Sequence, residues 1–441
     1  TGGIAHGVNQ ETGSALVANT GAGTDIEGYN KLSRFTIIGG EANYVVLENT
    51  GELTVVAKTS AKNTTIDAGG KLIVQKEAKT DSTRLNNGGV LEVQDGGEAK
   101  HVEQQSGGAL IASTTSGTLI EGTNSYGDAF YIRNSEAKNV VLENAGSLTV
   151  VTGSRAVDTI INANGKMDVY GKDVGTVLNS SGTQTIYASA TSDKANIKGG
   201  KQTVYGLATE ANIERGEQIV DGGSTDKTHI KGGTQTVQNY GKAINTDIVS
   251  GLQQIMANGT AEDSIINGGS QVVNEGGLAE NSVLNDGGTL DVREKGSATG
   301  IQQSSQGALV ATTRATRVTG TRADGVAFSI EQGAANNILL ANGGVLTVES
   351  DTSSDKTQVN MGGREIVKTK ATATGTTLTG GEQIVEGVAN ETTINDGGIQ
   401  TVSANGEAIK TKINEGGTLT VNDNGKATDI VQNSGAALQT S

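Results

Sequence analysis

Hydrophobic and polar residues alternate along this chain in short runs that return at a nearly constant spacing. A segment reading Gly-Gly-x-[Leu/Gln]-x-Val is followed by x-Gly-x-Ala and then by Thr-x-Ile-Asn. Examples of the first segment are Gly69–Val74, Gly88–Val93, Gly232–Val237 and Gly416–Val421. Because the alternation has a period of two, it predicts short strands that turn one face inward.

The unit returns every 16–19 residues between Gly13 and Ala436. Three longer steps, at about 13–50, 108–145 and 307–343, have twice this length and are interpreted as double rungs. One unit is too short for a pair of helices but fits one turn of a solenoid. The sequence therefore predicts a single all-β domain over residues 1–441, a right-handed parallel β-helix (β-solenoid) of about 23 rungs.

Turn residues recur at fixed places in the unit. Glycine pairs can supply corners with positive φ, and asparagine often follows the last aliphatic residue. We expect stacked asparagine side chains to hydrogen-bond from rung to rung. The recurring asparagines are Asn86, Asn162, Asn179, Asn267, Asn285, Asn360, Asn395 and Asn414.

One inward position changes character in the middle of the chain. The residue two places after the marker glycine is Leu in the early units, as in Leu53 and Leu72, and returns to Leu at Leu290. Between them it is Gln in six consecutive units, which predicts an amide ladder along the axis. Either this ladder is a self-satisfied structural stack, or it is an outward-tilted ribbon that offers amides to a partner. The six residues are Gln184, Gln202, Gln218, Gln235, Gln253 and Gln271.

All three phenylalanines, Phe35, Phe130 and Phe328, occupy equivalent places in the long steps. A superrepeat therefore overlies the rung repeat. We interpret these residues as the core of locally wider coils. The alternative is that the double rungs mark points of binding or protrusion.

Composition supports a narrow aliphatic core. The 441 residues include 65 Gly but no Pro, Cys or Trp, and only 2% are aromatic. Abundant Gly without Pro excludes collagen. A net charge of −15 argues against nucleic acid as a partner, since phosphates require a basic patch.

The sequence offers little for catalysis. The three histidines, His6, His101 and His229, lie many units apart, and cysteine is absent. Tight turns leave no long loops to wall a groove around paired carboxylates, as a polysaccharide-processing β-helix enzyme requires. Calcium-binding β-rolls have a different Gly-x-Gly-x-Asp pattern and half this period. We predict no enzymatic activity, no cofactor and no metal site.

Repeats with this sequence pattern, in register with Phe-containing double rungs, resemble the passenger domains of self-associating autotransporter adhesins of Gram-negative bacteria. Residues 129–151 and 268–300 are most similar to adhesins of the diffuse-adherence type from Escherichia coli. The resemblance covers the whole chain. It implies a passenger at the bacterial cell surface, anchored in the outer membrane through a C-terminal barrel that this chain lacks, and in part released.

The resemblance also implies a function. Such passengers mediate adherence to host cells through a cell-surface receptor, autoaggregation by binding copies of themselves, and biofilm formation. A heptosyltransferase modifies their hydroxyls during biogenesis. A passive stalk that displays a more distal domain is the alternative. The candidate O-glycosylation positions implied by the resemblance are Thr64, Thr159, Ser264, Ser282, Thr392 and Thr411.

Overall fold

The computed structural model describes residues 2–441, and these residues form strands and turns with no helix among them. The predicted fold class is confirmed: the strands stack into a β-solenoid of about 23 turns when the hairpin layers described below are counted. The chain divides into two compact units, Thr1–Gln218 and Ile219–Ser441. No segment within residues 2–441 forms a helix long and apolar enough to span a membrane.

Each turn has three faces separated by three corners. In one turn of the first unit, Ser147–Val150 lies on the first face, Arg155–Val157 on the second and Ile160–Ile161 on the third. Each of these three strands pairs in parallel with the equivalent strand one turn later. In several turns the second-face strand bends at a residue with positive φ and continues along the third face, as Ser60–Ile66 does at Asn63.

The strands of the first unit follow this plan. On the first face they are Val17–Asn19, Glu52–Val55, Lys71–Val74, Val90–Val93, Ala109–Ser113, Ser147–Val150, Lys166–Val169 and Thr183–Ile186. On the second they are Ile4–Asn9, Asp25–Tyr29, Arg34–Ile38, Glu41–Asn43, Ser60–Ile66, Lys79–Leu85, Glu98–Gln104, Leu119–Thr123, Ala129–Arg133, Glu136–Lys138, Arg155–Val157, Lys172–Val174, Thr191–Asp193 and Leu207–Thr209. On the third they are Val46–Leu47, Val141–Leu142, Ile160–Ile161, Val177–Leu178 and two strands that run on into the first face, Asn196–Val204 and Asn212–Asp221.

The second unit repeats the plan. Its first-face strands are Thr234–Gln238, Leu252–Ile255, Ser270–Val273, Thr289–Val292, Ala308–Thr312, Val345–Val348, Arg364–Val367, Glu382–Val385, Ile399–Val402, Thr418–Val421 and Ala437–Thr440. The second-face strands are Ser224–Asp226, Lys242–Ile244, Thr260–Glu262, Leu278–Glu280, Ser297–Gln303, Arg317–Arg322, Ala327–Glu331, Ala334–Asn336, Ser353–Asp355, Thr372–Thr374, Val388–Asn390, Glu407–Ile409 and Lys426–Thr428. The third-face strands are His229–Ile230, Asp247–Ile248, Ile265–Ile266, Val283–Leu284, Leu339–Leu340, Gln358–Asn360, Thr377–Thr379, Thr393–Ile394, Lys412–Ile413 and Val431–Gln432.

Identical residues stack on one another in the core. Leu53, Leu72 and Leu91 are direct partners in successive first-face strands, and each is fully buried. Burial of one such side chain contributes about 1.5–3 kcal/mol. Because the side chain of the next residue points outward, the strand has the predicted alternation of buried and half-buried positions.

The corners confirm part of the expected turn chemistry. Gly69 and Gly88 have φ of 80° and 81° at the corner that precedes the first face. The corner between the second and third faces instead uses non-glycine residues with positive φ, such as Asn63, Asp158 and Lys356. The expected asparagine ladder is present in part: Nδ2 of one residue donates to Oδ1 of the residue one turn before it, whereas Asn86 donates to Asp67 and Asn360 accepts from Gln358. The bonded pairs are Asn162–Asn179 at 2.8 Å, Asn267–Asn285 at 2.7 Å and Asn395–Asn414 at 2.8 Å.

The long steps are built differently from two stacked turns. In the second of them, Ala109–Ser113 pairs directly with Ser147–Val150, so no first-face strand lies between these two. The intervening residues form an antiparallel meander on the second face, in which Ala129–Arg133 pairs with Leu119–Thr123 and with Glu136–Lys138. The other long steps have the same pairing. The double-rung interpretation is corrected: each long step is one turn that carries a hairpin, whose strands use as many residues as a turn would.

Each phenylalanine lies in the middle strand of its meander, opposite a glycine. Phe130 pairs with Gly122, and the equivalent pairs are Phe35 with Gly28 and Phe328 with Gly320. The three rings are buried, with at most 3% of their surface exposed. A Cβ on Gly122 would lie 2.1 Å from the carbonyl oxygen of the residue below it, Val102, so only glycine fits between the ring and the preceding turn.

Candidate functional sites

The six predicted glutamines point into the core, and each is at most 1% exposed. In the first unit, Gln202 Nε2 donates to Gln184 Oε1 at 2.9 Å and Gln218 Nε2 donates to Gln202 Oε1 at 2.8 Å. In the second unit, Gln253 bonds in the same way to Gln235 at 2.9 Å. These amides bond to one another along the axis and are out of reach of a partner in the folded chain.

Hydroxyls from the third face complete this buried network. Ser264 Oγ donates to Gln253 Oε1 at 3.0 Å, and Ser282 Oγ donates to Gln271 Oε1 at 2.7 Å. Because a buried amide left without partners is costly, the hydroxyls and the amides stabilise the fold as one network.

A second ladder was missed in the sequence. Gln383 Nε2 donates to Glu365 Oε1 at 2.8 Å, and Gln400 Nε2 donates to Gln383 Oε1 at 2.8 Å. Thr376 Oγ1 also donates to the buried Glu365 carboxylate, at 2.8 Å. Glu365, Gln383 and Gln400 each lie two residues after a marker glycine. The repeat therefore contained the information needed to predict this ladder.

Asp173 is a buried carboxyl at the beginning of the first ladder. Its oxygens accept hydrogen bonds from Gln184 Nε2 at 2.7 Å, Ser192 Oγ at 3.1 Å and Thr176 Oγ1 at 2.5 Å. Burial raises the pKa of Asp173 to about 6, although these hydrogen bonds oppose the shift. The sequence did contain a signal for this site. Asp173 is a charged residue at the inward position of Lys172–Val174, and the equivalent residue two turns later is Ala208.

The six candidate acceptor hydroxyls are all buried, with at most 1% exposure. Four of them, including Thr392 and Thr411, donate into the amide ladders. The other two, Thr64 and Thr159, have no hydrogen-bond partner for their Oγ1. A sugar attached at any of these positions would have no room in the core.

The outward positions of the first face form in-register polar rows. Thr149, Asp168, Thr185 and Thr203 follow one another in four successive turns of the first unit, each half-buried. Ion pairs also link neighbouring turns, such as Lys242–Glu262 at 3.0 Å. Exposed pairs of this kind contribute about 0–1 kcal/mol each, so they affect surface chemistry more than stability.

The first two hairpins lie against the solenoid at their tips. In the first hairpin, Lys31 Nζ contacts Glu48 Oε2 at 2.7 Å and Asp67 Oδ2 at 2.6 Å. In the second, the Tyr126 hydroxyl accepts a hydrogen bond from Asn162 at 3.1 Å. Hydrogen bonds to Asp67 and Glu48 raise the pKa of Lys31, which stays protonated. These contacts tether the first two hairpins, so neither projects as a free arm.

In the described residues, 2–441, the three histidines lie apart from one another. His6, His101 and His229 each contact a different aspartate, in separate turns. Residues 2–441 contain no group of three or more His, Cys, Asp or Glu side chains placed to hold a metal ion.

Comparison with known proteins assigns the chain to a family. Residues 27–89, 121–182, 319–381 and 383–436, more than half of the chain, match the family described as adhesin of bacterial autotransporter system, probable stalk. The first three matches each begin within a hairpin strand. Three of the four matched segments therefore begin at equivalent positions of the superrepeat.

The chain is also 98% identical over 388 residues to "Probable autotransporter YpjA" of Escherichia coli strain K12. This match covers 88% of the chain and 25% of the relative, so the chain spans about a quarter of the length of the curated protein that it matches. Among solved structures, a TibC-catalysed hyper-glycosylated TibA fragment is 22% identical. The alignment covers 97% of each chain with a TM-score of 0.28, which is too low to support any argument.

The family and the solenoid fold favour a structural rather than an enzymatic protein, one that lies at the bacterial cell surface. The chain belongs to the family of adhesins of bacterial autotransporter systems.

Proposed function

We propose that this chain mediates adherence to host cells, autoaggregation and biofilm formation through the outer surface of its solenoid. The observation that carries the proposal is the set of in-register outward rows, such as Thr149, Asp168, Thr185 and Thr203. Because strand pairing fixes the spacing between turns, one weak polar contact can repeat at every turn. Many such contacts made together give firm attachment through multivalency.

Two partners follow from this proposal. One is a second copy of the chain on a neighbouring cell, whose outer rows have the same turn-to-turn spacing. The other is a host cell-surface receptor. The proposal also includes a likeness to adhesins of the diffuse-adherence type. It further includes an anchor in the outer membrane and partial release of the passenger.

Glycosylation by a heptosyltransferase during biogenesis is a further part of the proposal. Since the six candidate positions are buried, modification there would have to precede folding and would leave the sugar without room. We propose that the outward hydroxyls, such as Thr149, Thr185 and Thr203, are the acceptors in the folded chain. Peptide mass spectrometry of protein produced with and without the transferase tests this assignment.

A passive stalk is the second candidate, favoured by the family description as a probable stalk. Removing residues 252–288 would delete two turns and join equivalent positions of the repeat. The shortened and unshortened chains are displayed on non-aggregating bacteria, and sedimentation and adherence to epithelial cells are measured. If the surface itself binds, the unshortened chain causes both effects when no distal domain is attached. A stalk causes neither effect, and the deletion then changes only the reach of an attached domain.

A further inference from the structure

The corner between the first and second faces is shortened in four turns. It usually has four residues, as in 151–154 and 187–190, but only two at Tyr170–Gly171, Tyr205–Gly206, Gly222–Gly223 and Glu386–Gly387. A Cβ on Gly171 would lie 2.3 Å from the carbonyl oxygen of Ser154, and Gly206 and Gly387 meet backbone oxygens at 2.4 Å and 2.3 Å. Glycine is therefore needed where the short corner packs on the preceding turn.

The short corner at Tyr170–Gly171 lies between two full-length corners and leaves a notch between them. This notch is a depression of about 400 Å³. Thr152 and Ser189 from the neighbouring turns line it together with Tyr170. The volume falls at the lower end of the range of small-ligand sites.

The tyrosine in the notch is held by a stack of aromatic rings. The Tyr170 and Tyr187 rings are 4.2 Å apart at an interplanar angle of 5°, and Tyr205 follows at 6.3 Å and 27°. Tyr187 covers one face of the Tyr170 ring, and Tyr170 remains 42% exposed. Because stacking fixes this ring in advance, a ligand that packs on it has little side-chain freedom to remove.

The charge of the notch is opposite to that of the chain. Arg155 and Lys172 line it together with the hydroxyls of Thr152, Ser189 and Thr191. None of its nine lining residues, all in the described part of the chain, is acidic, whereas the whole chain has a net charge of −15. Arg155 Nε lies 3.0 Å from Glu136 Oε2, and this ion pair holds the guanidinium in place. Glu136 itself does not line the notch. Two cations beside several hydroxyls suit a polar ligand that carries one negative charge.

We propose that this notch binds a sugar ring bearing a carboxylate, as part of a cell-surface glycan. The apolar C–H face of the ring packs on Tyr170, its hydroxyls bond to the threonine and serine hydroxyls, and its carboxylate pairs with Lys172 and Arg155. This inference deepens the proposed adhesin function and rests on it for the biological setting, because it assigns a chemical class to the receptor.

The chain contains its own control. The corner at Glu386–Gly387 is shortened in the same way but has a glutamate in place of the tyrosine. It offers a carboxylate where the notch offers an aromatic ring. A carboxylate-bearing sugar is not expected to bind there.

The test uses the purified full chain with sialyllactose and a glucuronic-acid disaccharide as probes and lactose as the neutral comparison. Saturation-transfer NMR and titration measure contact and affinity. We expect binding of at least one acidic sugar, a loss of at least about 10-fold in Tyr170→Ala, and a loss of the preference over lactose in Lys172→Gln. Glu386→Ala should bind like the unmodified chain. Thermal unfolding of every variant confirms that it is folded.

Absence of transfer to both acidic sugars, equal binding of lactose, or unchanged affinity in Tyr170→Ala overturns the inference. Failure of the wider function is recognised separately. Cells that display the chain and aggregate and adhere equally well with Tyr170→Ala refute the notch but not the adhesin. A chain that binds the acidic sugar but gives no adherence or aggregation refutes the adhesin but not the notch.

Discussion

Replacing Gln253 with leucine tests whether the buried amide ladder stabilises the solenoid. Gln253 Nε2 donates to Gln235 Oε1 at 2.9 Å and to Thr246 Oγ1 at 3.1 Å. Its Oε1 accepts from Ser264 Oγ at 3.0 Å and from Gln271 Nε2 at 2.7 Å. Leucine fills the same position in other turns, so the substitution removes these hydrogen bonds without a large change in volume.

The expected loss follows from the groups left behind. Two buried donors, on Ser264 and Gln271, lose their acceptor, at about 1–3 kcal/mol each. Burial of the apolar leucine side chain contributes about 1.5–3 kcal/mol in the opposite direction. With about 4 kcal/mol lost and about 2 kcal/mol regained, the net destabilisation is about 2 kcal/mol.

Amide hydrogen exchange followed by mass spectrometry is the appropriate assay, because repeat structures open locally rather than all at once. A loss of about 2 kcal/mol corresponds to roughly 30-fold faster exchange in peptides covering the turns around Gln253. Gln254→Leu is the matched control, since Gln254 is the next residue and faces outward. Its exchange should stay within about twofold of the unmodified chain.

Exchange in Gln253→Leu as slow as in the unmodified chain, or slower, would refute the reasoning. It would mean that the amide network is no better than leucine at this position. A triple replacement of Gln235, Gln253 and Gln271 by leucine should destabilise by less than three single replacements together, because fewer amides are left without partners between the changed positions.

Three further predictions concern single residues. Burial gives Asp173 a folded pKa of about 6 against an ordinary value of 3.8, so the folded chain should lose about 3 kcal/mol of stability in all as pH rises from below 3.8 to above 6. Urea unfolding of Asp173→Asn should lack this loss relative to the unmodified chain, and parallel pH profiles would contradict the assignment. Gly171→Ala should cost more than about 2 kcal/mol by thermal unfolding, because its Cβ meets the Ser154 carbonyl, while Gly3→Ala, with open space around it, should change stability by less than about 0.5 kcal/mol. Phe130→Ala should cost about 3–5 kcal/mol and speed exchange in residues 119–138, and slow exchange there would show that the hairpin does not depend on the ring.

Much of the candidate-site chemistry could be seen in the repeat. The inward glutamines could be predicted because each lies at a fixed distance after the marker glycine of its turn. The same rule applied to later turns would have predicted Glu365 and Gln383. Asp173 was missed because the second face contributes one inward residue per strand, too few to establish an alternation. The notch was missed because a corner shorter by two residues appears in the sequence only as a slightly shorter step.

The sequence by itself determined the fold class, the faces of the strands, the asparagine ladder and the position of the glutamine ladder. These properties depend on local alternation and on a period, and both can be read from one strand to the next along the chain. Tertiary structure alone decided that the long steps hold hairpins, since a hairpin and a turn use the same number of residues and differ only in which strands pair. It also decided that the predicted hydroxyls are buried and that Tyr170 lies in a notch, because both depend on contacts with the turns above and below.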